Sequence, residues 1–389
     1  AVGGLVGYAA DLSTVQNPHY NIATVPINGS TSHVTPYGLY GAQYLSWLNN
    51  GKALGIADYA ATLPLSNGYY QIGTVQGLKD LLGFADNPAY KFRLAANLDL
   101  AAIPGWHIPY FAGGEFDGAG HALDQLAINQ LFNGRIGFIG MQSSASLLGN
   151  LGLTNATVTG YEYTGALIGE KYGALSNSYA TGAVTGSQYI GGLVGINQSG
   201  AVTDSYATAA VTGDIYIGGL VGLAYGDISN SYATGRVTGG SFGVGGLVGE
   251  HDFGVINNSY ATGKVTGTDY GVGGLVGAMY GGAVSNSYAI GDVSGGDNVG
   301  GLVGYQSNSD VGNKVGTSYA TGSVSGTGNV GGLVGNNAVG TVSDAYATGP
   351  VSGTGTNGGL VGRNGGTVSN GYATGLVSGT GINGGLAGN

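Results

Sequence analysis

From about residue 151 the chain repeats itself with a period of about 27 residues, and nothing else in the sequence limits its fold so strongly. A GGLVG-like pentapeptide centres on Leu167, Leu193, Leu220, Leu247, Leu275, Leu302, Leu333, Leu360 and Leu386, with gaps of 26, 27, 27, 28, 27, 31, 27 and 26 residues. A second marker, usually SYATG, centres on Tyr179, Tyr206, Tyr232, Tyr260, Tyr288, Tyr319, Tyr346 and Tyr372. Such periods signal a solenoid, a propeller or an array. Propeller blades need ~40–50 residues, so they fit poorly. Helical repeats fit no better: 83 of the 389 residues are glycine, and each costs roughly 1 kcal/mol inside a helix. The expected fold is all-β, a parallel β-solenoid (β-helix) with about 27 residues per coil.

Columns read down the stack give the local physics. Four residues before each marker tyrosine stands an aliphatic (Leu175, Val202, Ile228, Ile256, Val284, Val315, Val342, Val368), and five after it always a valine. These columns are core. The column just before that valine holds Ala183, Ala210, Arg236, Lys264, Asp292, Ser323, Pro350 and Leu376, which marks an outward position. Two residues before the tyrosine stands Asn or Asp, with Thr317 the exception. Those residues suit a turn, and glycine columns suit corners closed to a Cβ.

The tyrosine column has two readings. Continued alternation from the aliphatic four before it sends each ring inward as core. Alternation with the exposed column four after it sends each ring outward, as a stripe suited to sugars. A bend at the Asn or at the Gly decides between them. The buried reading is preferred, because aromatic ladders are more often core than binding site.

GGLVG followed by VSNSYATG and then VSG or VTG resembles the GLUG-motif repeats of bacterial surface proteins. Such repeats occur in filamentous-haemagglutinin-like adhesins exported by two-partner secretion, and in some surface immunoglobulin-A peptidases. The stretch from Tyr90 to Ile128 is similar to the segment that often introduces these arrays, with Glu115 in place of a Thr and Ala119 in place of an Asn. The resemblance implies a secreted, cell-surface stalk. It carries little about activity, since such repeats support proteins of different function.

The remaining chain divides accordingly. Residues 1–17 read as a partial repeat coil around Leu5, and 18–68 as an irregular insertion or linker. Residues 69–150 read as an introductory segment with first coils and a short helix at about 74–86, and 151–389 as about nine coils. The helix rests on Val75, Leu78, Leu81 and Leu82 with Thr74 as cap, and would lie as a lid over the first coils. Beginning and ending on coils without polar caps, the chain reads as part of something longer or as a unit that stacks end to end on copies of itself.

Composition narrows the partners and the chemistry. Charged residues are 8% of the chain, with 10 basic against 20 acidic, so nucleic acid and anionic membranes are not expected partners. There is no cysteine, hence no disulfide or thiolate site. Low charge and absent cysteine suit a chain exported unfolded and folded outside by coil-on-coil propagation. No apolar run is long enough for a transmembrane helix. No HExxH or phosphate-binding loop is present, and turns such as Gly295 to Asn298 offer at most a weak calcium site. A threonine column from Thr181 to Thr374 is interrupted by Ile290, against an ice-binding face. Glu250-His251-Asp252 reads as an inter-strand surface turn. Glu115, Asp117 and His121 make the strongest enzyme-like cluster, read as a structural turn element.

The expectation is therefore a non-catalytic extracellular stalk or filament segment without cofactor. Host or biofilm glycans binding the tyrosine ladder, or a polysaccharide-active site at Glu115 and Asp117, stand as alternatives.

Overall fold

The computed structural model describes residues 19–25, 34–131, 134–307 and 313–389; the partial coil expected at 1–17 lies outside them. The chain is an all-β parallel solenoid of about 11 turns at about 27 residues per turn. Its strands form sheets of 19, 10 and 22 members that run the length of the rod.

One coil shows the plan. Tyr206–Ala207 and Ala210–Thr212 lie in the first sheet, Ile215–Gly218 in the second, and Val221–Ala224 and Ile228–Ser229 in the third. Each strand pairs in parallel with its equivalent on the next coil, like residue on like residue. Tyr206 pairs with Tyr232, Val211 with Val237, Val221 with Val248 and Ile228 with Ile256. Both aliphatic columns point inward, and one continuous apolar cluster runs from Ile56 to Val361.

Two of the coil's corners form for different physical reasons. At the first, the Asn or Asp before the marker tyrosine adopts a left-handed backbone. Asn177, Asp204, Asn230, Asn258, Asn286, Asp344 and Asn370 all have φ of 47–52°, a region their short polar side chains tolerate. At the second, GGLVG folds tightly with no left-handed φ at Gly218 or Gly219. Glycine is needed there for close approach: a Cβ on Gly218 would lie 1.9 Å from the Val221 oxygen.

Thr317 occupies the left-handed slot with φ 49°, where a β-branched residue is strained by about 1–2 kcal/mol. Thr317→Asn is therefore expected to stabilise the fold by about 1 kcal/mol, read as a higher urea midpoint with unchanged slope. An unchanged or lower midpoint would contradict that strain.

Beside the Asn corner runs a buried serine ladder. The backbone N–H groups of Ser178, Ser205, Ser231, Ser259 and Ser287 each donate to the hydroxyl of the serine on the following coil, at 3.2 Å. Each of these hydroxyls, and that of Ser318, donates to a carbonyl of its own coil. Ala345 and Gly371 continue the column without hydroxyls.

At the other end the solenoid is closed. Helix α1 spans Gly41–Asn49 and helix α2 spans Val75–Leu81. The Thr74 hydroxyl caps α2 by accepting the Gly77 N–H at 3.1 Å. Leu78 and Leu81 are buried in the cluster that contains Ile72, Phe92 and Leu94 of the first coils. α2 therefore lies over the first coils as the lid expected from the sequence, while the end expected to lack a cap, at residues 1–17, lies outside the described residues. α2 is shorter than the expected 74–86, because a turn at Gly83 replaces its last turn. α1 lies within the stretch 18–68 that reads in the sequence as an irregular insertion or linker. Gln43 and Trp47, one helical turn apart, are both buried, and Gln43 donates to the Asp80 carbonyl of α2 at 2.7 Å.

Candidate functional site

The left-handed Asn corner settles the facing of the tyrosine ladder. Leu175 is buried, Asn177 turns the chain, and Ser178 and Ala180 then point inward, so Tyr179 points outward. The same holds for Tyr206, Tyr232, Tyr260, Tyr288, Tyr319 and Tyr346, which are half-buried, and for Tyr372, which is exposed. The preferred inward reading fails because the corner resets the alternation on which it relied. Neighbouring rings stack at 4.7–5.0 Å with planes within 2–7°. Desolvation, then repulsion from a neighbouring phenolate, raises the phenol pKa of Tyr206, Tyr232, Tyr288 and Tyr319. Because the rings face one another along the rod, the faces that would stack on a sugar are already occupied within the ladder.

A second aromatic row was not singled out in the sequence. Tyr163, Tyr189 and Tyr216 stack at 5.0 and 5.1 Å with planes 24° and 27° apart. Phe242 meets Tyr216 edge-on at 5.5 Å and 84°, then stacks on Tyr270 at 5.3 Å. The first three rings come from a left-handed slot with φ of 46–58°. Gly243, Gly271 and Asn298 fill that slot later; before the two glycines the ring comes from the preceding residue, Phe242 or Tyr270, and before Asn298 stands Asp297.

Beside this row, an outward column of the next strand reads Glu170, Ile196, Leu223, Glu250, Ala278 and Tyr305. Glu170 accepts from the Tyr172 hydroxyl at 2.9 Å, from Gln198 at 3.2 Å and from the Arg135 guanidinium. Glu250 has no such cation. Its rung neighbours are Leu223 and Ala278, and its carboxyl lies against Asp252 and Tyr216, while Asp252 bonds Tyr225. Burial, then the Asp252 charge, pushes Glu250 up to about 8, and burial raises Asp252 too. Glu250 Oε2 and Asp252 Oδ1 are buried and face no donor, so a proton shared between the two carboxyls is expected.

A raised carboxyl stabilises the fold fully below its unfolded value, and that contribution fades as pH rises through its folded value. Glu250→Gln is therefore expected to match the parent in stability near pH 4. Above about pH 8 it should be the more stable by about 1–2 kcal/mol. A constant difference across that range would exclude a shared proton.

His251 is not in a surface turn. It ends the strand Val248–His251, is completely buried, and points inward beneath Ala224 and Met279. Its Nε2–H donates to the Gly254 carbonyl at 3.3 Å, and burial lowers its pKa to about 4. Lys171 occupies the same inward column three coils before His251, with Asn197 and Ala224 between them. Its ammonium donates to Asn197 Oδ1 at 2.8 Å and to the carbonyls of Ser199 and Gly200 at 2.8 and 3.0 Å. Burial nonetheless lowers it to about 7. Both residues cap turn carbonyls from inside the rod.

The cluster of Glu115, Asp117 and His121 is tied into the coil. Glu115 accepts from the Tyr69 hydroxyl at 2.7 Å and from Lys91, its rung partner, at 3.4 Å. Asp117 accepts from Arg93 at 2.8 Å, the Ala119 N–H at 2.8 Å and Asn150 at 3.0 Å. Burial opposes ionisation of Asp117, but the bonds from Asn150, Ala119 and Arg93 outweigh it and hold its pKa below the usual value. The His121 ring pairs with Asn97. Asp297, in the turn considered for calcium, accepts from the backbone N–H groups of Asn298 and Asn329. No group of three or more metal-ligating side chains occurs among the described residues.

These observations define a β-solenoid, and part of it carries GLUG repeats. Residues 186–212, 213–238, 240–266 and 268–294 match the GLUG motif. A segment of 85 residues, 22% of the chain, is 39% identical to halomucin from Haloquadratum walsbyi, and the chain spans about 1% of that protein's length. Among solved structures, a Bacteroides ovatus protein named as an immunoglobulin A1 protease is similar with a TM-score of 0.44 and 20% identity, over 80% of this chain and 84% of that one.

Proposed function

We propose that the chain is a non-catalytic structural element of a secreted or surface-attached bacterial protein of the filamentous-haemagglutinin-like kind, a stiff stalk whose job is to carry load and set distance. The observation that carries this reading is register. Val pairs with Val and Tyr with Tyr from coil to coil, over one unbroken core, so nearly every part of the chain serves the rod itself. At ~4.8 Å per rung, about 11 coils make a body roughly 50 Å long. The partners on this reading are coils of the same kind, stacked on the edge away from α2. Supporting the non-catalytic part, Glu115 and Asp117 are each engaged by a cation on the adjacent rung. Among the described residues no helix is long and apolar enough to cross a membrane.

Atomic-force pulling on the full chain tests the reading. A stalk should yield in successive steps, each releasing about one 27-residue coil. Extension at forces no higher than those of an unstructured linker would sink it.

A further inference from the structure

The second aromatic face differs from the tyrosine ladder in what it leaves open. Beyond Glu170 and Glu250 runs a further column, Tyr172, Gln198, Tyr225, Asp252 and Tyr280, whose members follow paired residues on successive coils. Its tyrosines therefore recur at every second rung, roughly 10 Å apart. At that distance they do not stack on each other: Tyr225 has Phe253 stacked against one face and Tyr280 meets Tyr305 edge-on at 5.8 Å, but neither ring is closed on both faces by rings of its own column, as Tyr206 to Tyr346 are. Phe253 joins Tyr225 at 6.1 Å and is 52% exposed.

Backbone strain supplies an independent sign. Tyr163, Tyr189 and Tyr216 sit in the left-handed region, where a bulky side chain costs of order 1 kcal/mol or more. Gly243, Gly271 and Asn298 show that the coil closes there with residues better suited to that conformation. Three successive tyrosines in this slot keep rings on the surface at a cost to the fold. Such outliers cluster at binding sites.

The polar groups select the ligand. Carboxyls of Glu170, Glu250 and Asp252 alternate with phenol hydroxyls, and no lysine or arginine stands in these three columns between Tyr163 and Tyr305. Arg135, one coil earlier, is already held by Glu170. Hydroxyl-rich ligands without negative charge fit such a surface, and anionic ones are repelled. In an extended β-1,4-linked glycan one sugar is about as long as one rung, and alternate sugars present the same orientation. An aromatic at every second rung then meets equivalent sugars along the rod.

We propose that the face bearing Tyr172, Tyr225 and Tyr280 binds an extended β-linked polysaccharide that is uncharged or carries amino sugars, lying parallel to the solenoid axis. This goes beyond the stalk reading and stands or falls without it.

The test is affinity electrophoresis of the full chain through gels containing hydroxyethyl cellulose, mannan, glycol chitosan or, as the anionic control, alginate. Retardation is expected in at least one of the first three. It should weaken about tenfold or more in Tyr225→Ala and in Tyr280→Ala, and persist in Tyr225→Phe and in Tyr260→Ala on the other face. A thermal melt of each variant separates a lost site from a lost fold; a variant whose melt has collapsed is replaced by its leucine counterpart. Retardation by alginate alone, by none of the four, or equally weakened by Tyr260→Ala would overturn the proposal.

Discussion

Gly219→Ala is expected to unfold the coils around it, with a loss above about 4 kcal/mol, while the same change at Gly385 should stay within about 0.5 kcal/mol. The two glycines occupy the same place in GGLVG and GGLAG, so their local conformational preferences are alike. They differ in what lies beyond. A Cβ on Gly219 would lie 2.1 Å from the Gly246 oxygen on the next coil and 2.8 Å from the Ala233 Cβ, whereas nothing lies within 4 Å of one on Gly385. The backbone oxygen cannot yield without breaking its ladder, so the methyl is accommodated only by parting two coils. Urea unfolding of both variants measures the contrast. Equal losses would show that the glycine acts through chain flexibility, not through contact between coils.

The second large effect is expected in acid. His251 is neutral and fully buried, with its pKa lowered to about 4, whereas in the unfolded chain it titrates near 6.5. Between these values the unfolded state binds the extra proton. The stability that a neutral His251 confers is therefore complete above about pH 6.5 and drains away as pH falls toward 4. A shift of that size corresponds to about 3 kcal/mol. The neighbouring coil names the variant to use, because Met279 fills the same inward rung. His251→Met should match the parent at pH 7 within about 1 kcal/mol and lose much less of its stability on acidification. Parallel acid transitions in the two proteins would show that the imidazole is protonated without penalty.

Much of the rod could be read from the repeat. The period, the inward aliphatic columns and the outward column of Arg236, Lys264 and Pro350 follow from alternation alone, and each stands where alternation puts it. The Thr74 cap followed from the helix rules. What failed did so at points where alternation is reset. One left-handed residue, Asn177 or its equivalents, turns the tyrosines from inside to outside, and counting in twos across it cannot see this. His251 was misplaced because a charged triplet resembles a turn, although its central residue continues an inward column. The second aromatic row escaped notice because no single column carries it. Its rings come from Tyr163, Tyr189 and Tyr216, then from Phe242 and Tyr270 one position earlier, while Tyr172, Tyr225 and Tyr280 skip alternate coils. α1 was hidden by the Asn-Asn-Gly that ends it.

The serine ladder gives the rod a grain. Each N–H from Ser178 to Ser287 reaches forward for a hydroxyl that the next coil must supply, so an earlier coil is finished only when a later one arrives. The teeth of this zip stop at Ser318, since Ala345 and Gly371 have nothing to offer. Wear should therefore begin on that side: amides of the coils beyond Ser318 should exchange with solvent first, and those nearest α2 last.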